Sequence, residues 1–222
     1  TIDCVRMEKL EWDSYETSWD FRCNPLIRAG NRLADAYAAW KAECEQLFSQ
    51  LKTNEEELNR IFIDIYSLQD ELTPEVTDKD ITIHRIFDTK DDVPESMQGS
   101  SYVRIKRDET VSLLSYAVGC MFGRYSLDRN GLVFAGGNFD SVYWKFKGQA
   151  ALDENDNPID GEYAGITLEN YHYPKFRDAE NYEDATWLSY EPDADNIIPI
   201  TDEEYLENDI ISRLCSWLKA AY

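Results

Sequence analysis

Seven basic residues crowd the middle of this sequence: Arg104, Lys106, Arg107, Arg124, Arg129, Lys145 and Lys147. Between Ser101 and Ala150 only four acids stand against them, Asp108, Glu109, Asp128 and Asp140. Lys145 and Lys147 would share one face of a strand, with Tyr143 beside them. Lysine and arginine neutralise phosphates, and interleaved aromatic rings stack on bases, so the chemistry this cluster suits is a nucleic-acid groove. The competing reading is an ordinary positive face balanced by acidic loops elsewhere.

The other constellations point to no catalytic, cofactor or metal residues. Gly136-Gly137 is followed by neither a P-loop lysine nor a second spaced glycine, and a hairpin turn suits it better than a phosphate cradle. Asp153, Glu154, Asp156 and Asp160 resemble a calcium loop, but the closing glycine and glutamate are misplaced, so a solvated loop is expected. His84 and His172 stand apart from any nucleophile motif. Five cysteines without a Cys-x-x-Cys give no zinc pattern; Cys44 and Cys120 lie on apolar faces and read as buried thiols. Asp64 is four residues from Arg60, the spacing of a helix-surface pair.

The formal charge of -22 would argue against a nucleic-acid partner, but the acidity lies outside this basic centre, above all in Ala151–Asp209, where Lys175 and Arg177 are the only cations. The composition, 43% hydrophobic with six Trp, fourteen Tyr and nine Phe, suits a folded protein able to bury a core. Odd cysteine usage suits a reducing cytoplasm, and no stretch reads as a signal peptide or membrane span. A start at Thr1 and a stop at Tyr222 inside an apolar pattern suggest a fragment of something longer.

The elements that would position the basic centre are helix-rich, and the expected class is α+β. Residues 1–25 show no clean period and read as an irregular, aromatic-rich lead-in. Residues 26–76 read as a long helical spacer, in which Leu33, Tyr37, Trp40, Cys44, Leu47 and Leu51 form a heptad seam. The same register continues through Leu58, Ile61, Ile65, Leu68 and Leu72 to a stop at Pro74. Thr53 and Glu56 fit a capping box, leaving two readings: one continuous helix, or a second helix after a kink. The seam suits internal packing, with an intermolecular coiled coil as the alternative. Residues 77–222 read as an α+β region with the basic centre at 101–150 and acidic loops over 151–209. Asp80–Phe87 and Val103–Ile105 are weakly strand-like, and Thr110–Tyr125 is expected as a buried central helix. Leu132–Gly137 and Val142–Lys147 suit a small antiparallel sheet, and Thr201 with Glu204 a capped C-terminal helix.

Four blocks resemble a known family: Glu11–Phe21, Asn54–Glu75, Leu114–Asp128 and Asp195–Tyr205. They are similar to PglX, the adenine-specific DNA methyltransferases of bacterial BREX phage-defence systems, and run in order over nearly the whole chain. The resemblance implies a parent enzyme that moves a methyl group from S-adenosylmethionine to adenine N6. That family's Asn/Asp-Pro-Pro-Tyr/Phe motif is absent here, as is its glycine-containing cofactor motif, and Asn24-Pro25-Leu26 does not replace the former. An extruded base needs that pocket, so the resemblance implies a catalytically silent segment beyond the core, with no cofactor of its own. Its expected work is to position DNA or connect the core to target recognition. The alternatives are an interaction platform for other BREX proteins, and an acidic mimic of DNA.

Overall fold

A computed structural model describes residues 2–28, 32–128, 130–133, 189–190, 192, 197–201 and 208–222. The described chain is helix-rich α+β and falls into two compact units, Thr1–Gly119 with Leu214–Tyr222, and Cys120–Arg213.

The first unit is built on α3, Leu33–Tyr66. Of the two readings of this stretch, the continuous helix forms. Nothing between Leu33 and Tyr66 breaks the ladder, and Thr53 sits mid-helix with its Oγ1 donating to the Ser49 carbonyl at 2.9 Å. The expected cap at Thr53 is therefore not formed. Tyr37, Trp40, Cys44 and Leu51 of the seam are buried, with Phe48 beside them, while Leu33 at its start is exposed. Burial pushes the Cys44 thiol well above its ordinary pKa. The second half of the seam is not core, because Ile61, Ile65 and Leu72 are all exposed. Arg60 pairs with Glu57, and Asp64 instead accepts from Gln69 at 3.0 Å.

The helix stops before Pro74. Ser67 adopts φ 54° and ψ 46°, its N–H reaches the Asp64 carbonyl at 3.3 Å, and the Leu68 N–H reaches the Ile63 carbonyl at 2.9 Å. These two bonds are a Schellman closure, which satisfies the last carbonyls and favours glycine at the left-handed position. A serine there carries a Cβ penalty. Ser67→Gly is expected to stabilise the chain by about 0.5–1 kcal/mol, read as a higher urea midpoint with an unchanged slope.

Around α3 lie α1, Ile2–Trp12, and the short α2, Pro25–Arg28. A helix thus occupies a lead-in whose sequence shows no clean period. Its inward positions, Cys4, Met7 and Glu11, mix apolar with acidic residues, so no hydrophobic stripe marks it. Cys4 and Met7 pack on a core of Phe48, Leu51, Ile81, Ile83 and Met97.

Ile81 and Ile83 enter that core along the extended approach to β1, Arg85–Phe87. β1 pairs in parallel with β2, Val103–Ile105, in the register Arg85 to Val103 and Phe87 to Ile105. The sheet of the described residues is therefore parallel, not antiparallel as expected. A parallel pair needs a long crossover, which residues 88–102 supply through the 3-10 turns Lys90–Asp92 and Glu95–Met97. The expected hairpin over 132–147 lies almost wholly outside the described residues. Arg85 clamps β1 to α3: its Nε and Nη2 donate to the Glu45 carboxylate at 2.6 and 2.7 Å, and its guanidinium lies over Phe48. Asp78 is held by Lys52 at 2.6 Å and Ser96 at 2.8 Å, which keeps its carboxyl below the usual range.

α4, Lys106–Met121, follows β2 directly and starts earlier than its sequence pattern suggests. Leu113, Tyr116, Ala117, Cys120 and Met121 are buried, while Val111 and Leu114 are exposed, so this central helix buries one face and not its whole girth. Gly123, at φ 72°, lies just beyond its end. α5, Ile210–Ala221, is capped by Asp209, whose Oδ1 accepts from the Ser212 N–H at 2.8 Å. The expected box ran from Thr201 to Glu204, and residues 202–207 lie outside the described residues. No helix among the described residues is long and apolar enough to cross a membrane.

Candidate nucleic-acid interface

Of the seven basic candidates, three belong to the first unit and meet at the junction of β2 with α4. Arg104 is on β2, and Lys106 and Arg107 open α4. The turn is fixed by Asp108, whose carboxylate accepts the Ile105 N–H at 2.9 Å, as an acid at the third helical position does in a capping box. Thr110 Oγ1 donates to the Lys106 carbonyl at 2.9 Å. An aspartate in the first turn also favours the helix dipole.

Arg104 points inward. Its Nε donates to Glu109, its guanidinium lies 4.8 Å from the centre of the Tyr15 ring, and its side chain is only 20% exposed. Burial works against the Arg104 charge, but the Glu109 carboxylate overturns that effect, so its pKa lies above the ordinary arginine value. The other Glu109 oxygen accepts Trp40 Nε1 at 3.0 Å. A second buried carboxylate, Glu11, lies 2.6 Å from His84 Nδ1. The His84 ring is set edge-on to Tyr15 and tilted against Tyr102, with centroids 5.2 Å away in both cases. Burial drives the Tyr15 phenol well above its usual pKa. This polar network ties α1, α3, β2 and α4 together beneath the junction.

Lys106 and Arg107 are exposed. The Lys106 ammonium lies 5.1 Å from the Tyr37 ring centre, which gives it a cation–π seat without taking it out of water. Beside it, Asp88 accepts from Lys41 at 2.8 Å and from Tyr37 Oη at 3.0 Å. Those two hydrogen bonds hold the Asp88 carboxyl below its usual range. The junction thus divides its cations: Arg104 neutralises a buried acid, while Lys106 and Arg107 reach solvent, where a phosphate could meet them. Arg124 belongs to the second unit and is exposed. Arg129, Lys145 and Lys147 lie outside the described residues, as do the acidic loop 153–160, Gly136-Gly137 and His172.

Sequence reading missed Glu109, Glu11, His84 and Trp40 as a set. A signal was present. Glu109 stands four residues before Leu113 and seven before Tyr116, in register with the buried face of α4, so the helix period itself turns that acid inward. Among the described residues no group of three or more His, Cys, Asp and Glu could hold a metal ion.

No family model matches the chain. Over 151 residues, 65% of this chain and 11% of the relative, it is 38% identical to the adenine-specific methyltransferase PglX of Lacticaseibacillus casei (strain Zhang). This stretch of the chain is similar to part of that PglX. It is also 28% identical to the adenine-specific methyltransferase BrxX of Escherichia coli O9:H4 (strain HS), over 219 residues that are 98% of this chain and 15% of that one. The chain therefore spans a small part of the length of the curated relatives it matches.

Proposed function

We propose that this PglX-like chain is a non-catalytic segment of an S-adenosylmethionine-dependent, adenine-specific DNA methyltransferase of a BREX phage-defence system. Its role is to position DNA or to connect the methyltransferase core to target recognition. One observation carries the reading. The similarity to BrxX extends over 98% of the chain, yet the chain contains no Asn-Pro-Pro-Tyr motif for an extruded adenine. That combination supports a contribution other than that pocket.

The DNA contacts proposed are Lys106 and Arg107 on the first unit, Arg124 on the second, and Arg129, Lys145 and Lys147. Arg104 acts indirectly, by holding the β2–α4 junction from which Lys106 and Arg107 project. The test is charge reversal at Lys106 and Arg107 together, in the full-length methyltransferase, with Arg104 left intact so that the buried pair survives. DNA affinity is expected to fall about tenfold or more at moderate salt, and the dependence on salt to flatten by roughly one unit for each phosphate no longer neutralised. Affinity for S-adenosylmethionine is expected to stay unchanged. Site methylation at the wild-type rate would overturn the reading.

A further inference from the structure

The last turns of α3 carry an apolar face that is exposed among the described residues. Ile61, Phe62, Ile65 and Tyr66 are 45%, 55%, 65% and 67% exposed. The chain beyond the Schellman closure folds back beside them. Asn59 Nδ2 donates to the Pro74 carbonyl at 3.2 Å, and the Val76 N–H donates to Glu56 at 3.3 Å. Between the helix and the returning chain lies a groove of about 290 Å³, lined by Phe62, Ile63, Tyr66, Leu68 and Leu72. That volume is at the lower limit for a drug-sized ligand, but it accommodates a single large apolar side chain.

The stretch that carries the groove is acidic. From Asn54 to Glu75 seven carboxylates stand against one cation, Arg60, and Arg60 is already paired with Glu57. Glu57, Asp64, Asp70, Glu71 and Glu75 are all exposed. A nucleic acid would be repelled here, and so would a second copy of the same face. The surface is complementary to a helix that presents an apolar anchor between lysines and arginines. The relatives are many times longer than their matching stretch, which is 11% of one and 15% of the other. A helix in the same polypeptide would have a high effective concentration at the groove.

We propose that this groove is the docking site for a basic-flanked amphipathic helix from another part of the same long methyltransferase polypeptide. The proposal rests on the reading of this chain as a segment of such an enzyme. Tyr37 to Leu51 of the seam then hold this unit together, and Phe62, Tyr66 and Leu72, which line the groove, join it to its own enzyme.

The test places a photo-crosslinking phenylalanine analogue at position 65 of the full-length methyltransferase, an exposed site whose replacement leaves the core alone. The crosslinked peptides are then identified by mass spectrometry. The expected product joins position 65 to one apolar helix flanked by Lys and Arg in the same molecule. Its yield should fall about thirtyfold when Phe62→Asp is added, as for loss of an anchor residue, and should weaken at high salt. A crosslink to a second copy, to a different protein, or to solvent alone overturns the proposal. DNA affinity after charge reversal at Lys106 and Arg107 is measured separately. Unchanged affinity beside the expected crosslink would sink the DNA reading and leave this one standing.

Discussion

Glu109→Ala is expected to cost the chain about 3–5 kcal/mol, the range for removing one partner of a buried charge pair. The carboxylate is 4% exposed and is shared by two donors from different elements, Arg104 on β2 and Trp40 on α3. Its loss leaves a guanidinium at 20% exposure without the counter-charge that offsets its desolvation, and takes from the Trp40 indole N–H the acceptor it uses. Set against a whole-domain stability of roughly 5–15 kcal/mol, that loss is large. Glu109→Gln keeps an acceptor for Trp40 and should cost less. The pair itself is isolated by a double-mutant cycle with Arg104→Met. The two changes together are expected to cost clearly less than their sum, because the second removes the charge that the first left unpaired. Urea midpoints of the four proteins decide it, and strict additivity would mean that Arg104 and Glu109 do not depend on each other.

That cycle also separates fold from site. If Arg104 serves the junction and not the phosphate, Arg104→Met paired with Glu109→Gln should leave DNA affinity closer to wild type than charge reversal at Lys106 and Arg107 does. From the sequence, all these cations carry the same weight. Only the position of Glu109 on the inward face of α4 tells them apart, and an acid on an apolar face is easily passed over.

The long helix shows the same limit from the other side. Tyr37, Trp40, Cys44 and Leu51 were legible as core because a heptad seam must be covered by something. The register alone carries no mark of where the cover ends, so Ile61 and Ile65 read as core when they are exposed. The helix stop is likewise set by Ser67, fourteen residues after Thr53 and well before the proline that the sequence offers as punctuation. The sheet direction was not legible, because three-residue strands contain too little alternation to declare a partner. α1 was hidden for a related reason: Glu11 occupies an inward position that pattern reading reserves for apolar residues.

The aromatic row that closes the first unit gives the second large effect. Trp217 of α5 is fully buried and meets Tyr116 of α4 edge-on at 6.2 Å, and Tyr116 meets Phe21 in the same way at 5.9 Å. The Tyr222 hydroxyl adds a hydrogen bond to the Leu26 carbonyl at 3.1 Å, and burial pushes its pKa up to about 12. Trp217→Ala is expected to cost about 3–5 kcal/mol, through lost apolar burial and the cavity left behind. Trp217→Phe should behave differently. The indole N–H is buried with no hydrogen-bond partner among the described residues, so phenylalanine removes an unsatisfied donor while keeping the edge-on ring packing. Its cost is expected to be about 1–2 kcal/mol, the smaller cavity being offset in part by the polar group that goes with it. Chemical denaturation of both variants separates the two contributions. A phenylalanine variant as unstable as the alanine variant would show that the N–H contributes a hydrogen bond after all. A near-neutral one would show that α5 is held to its unit by ring packing.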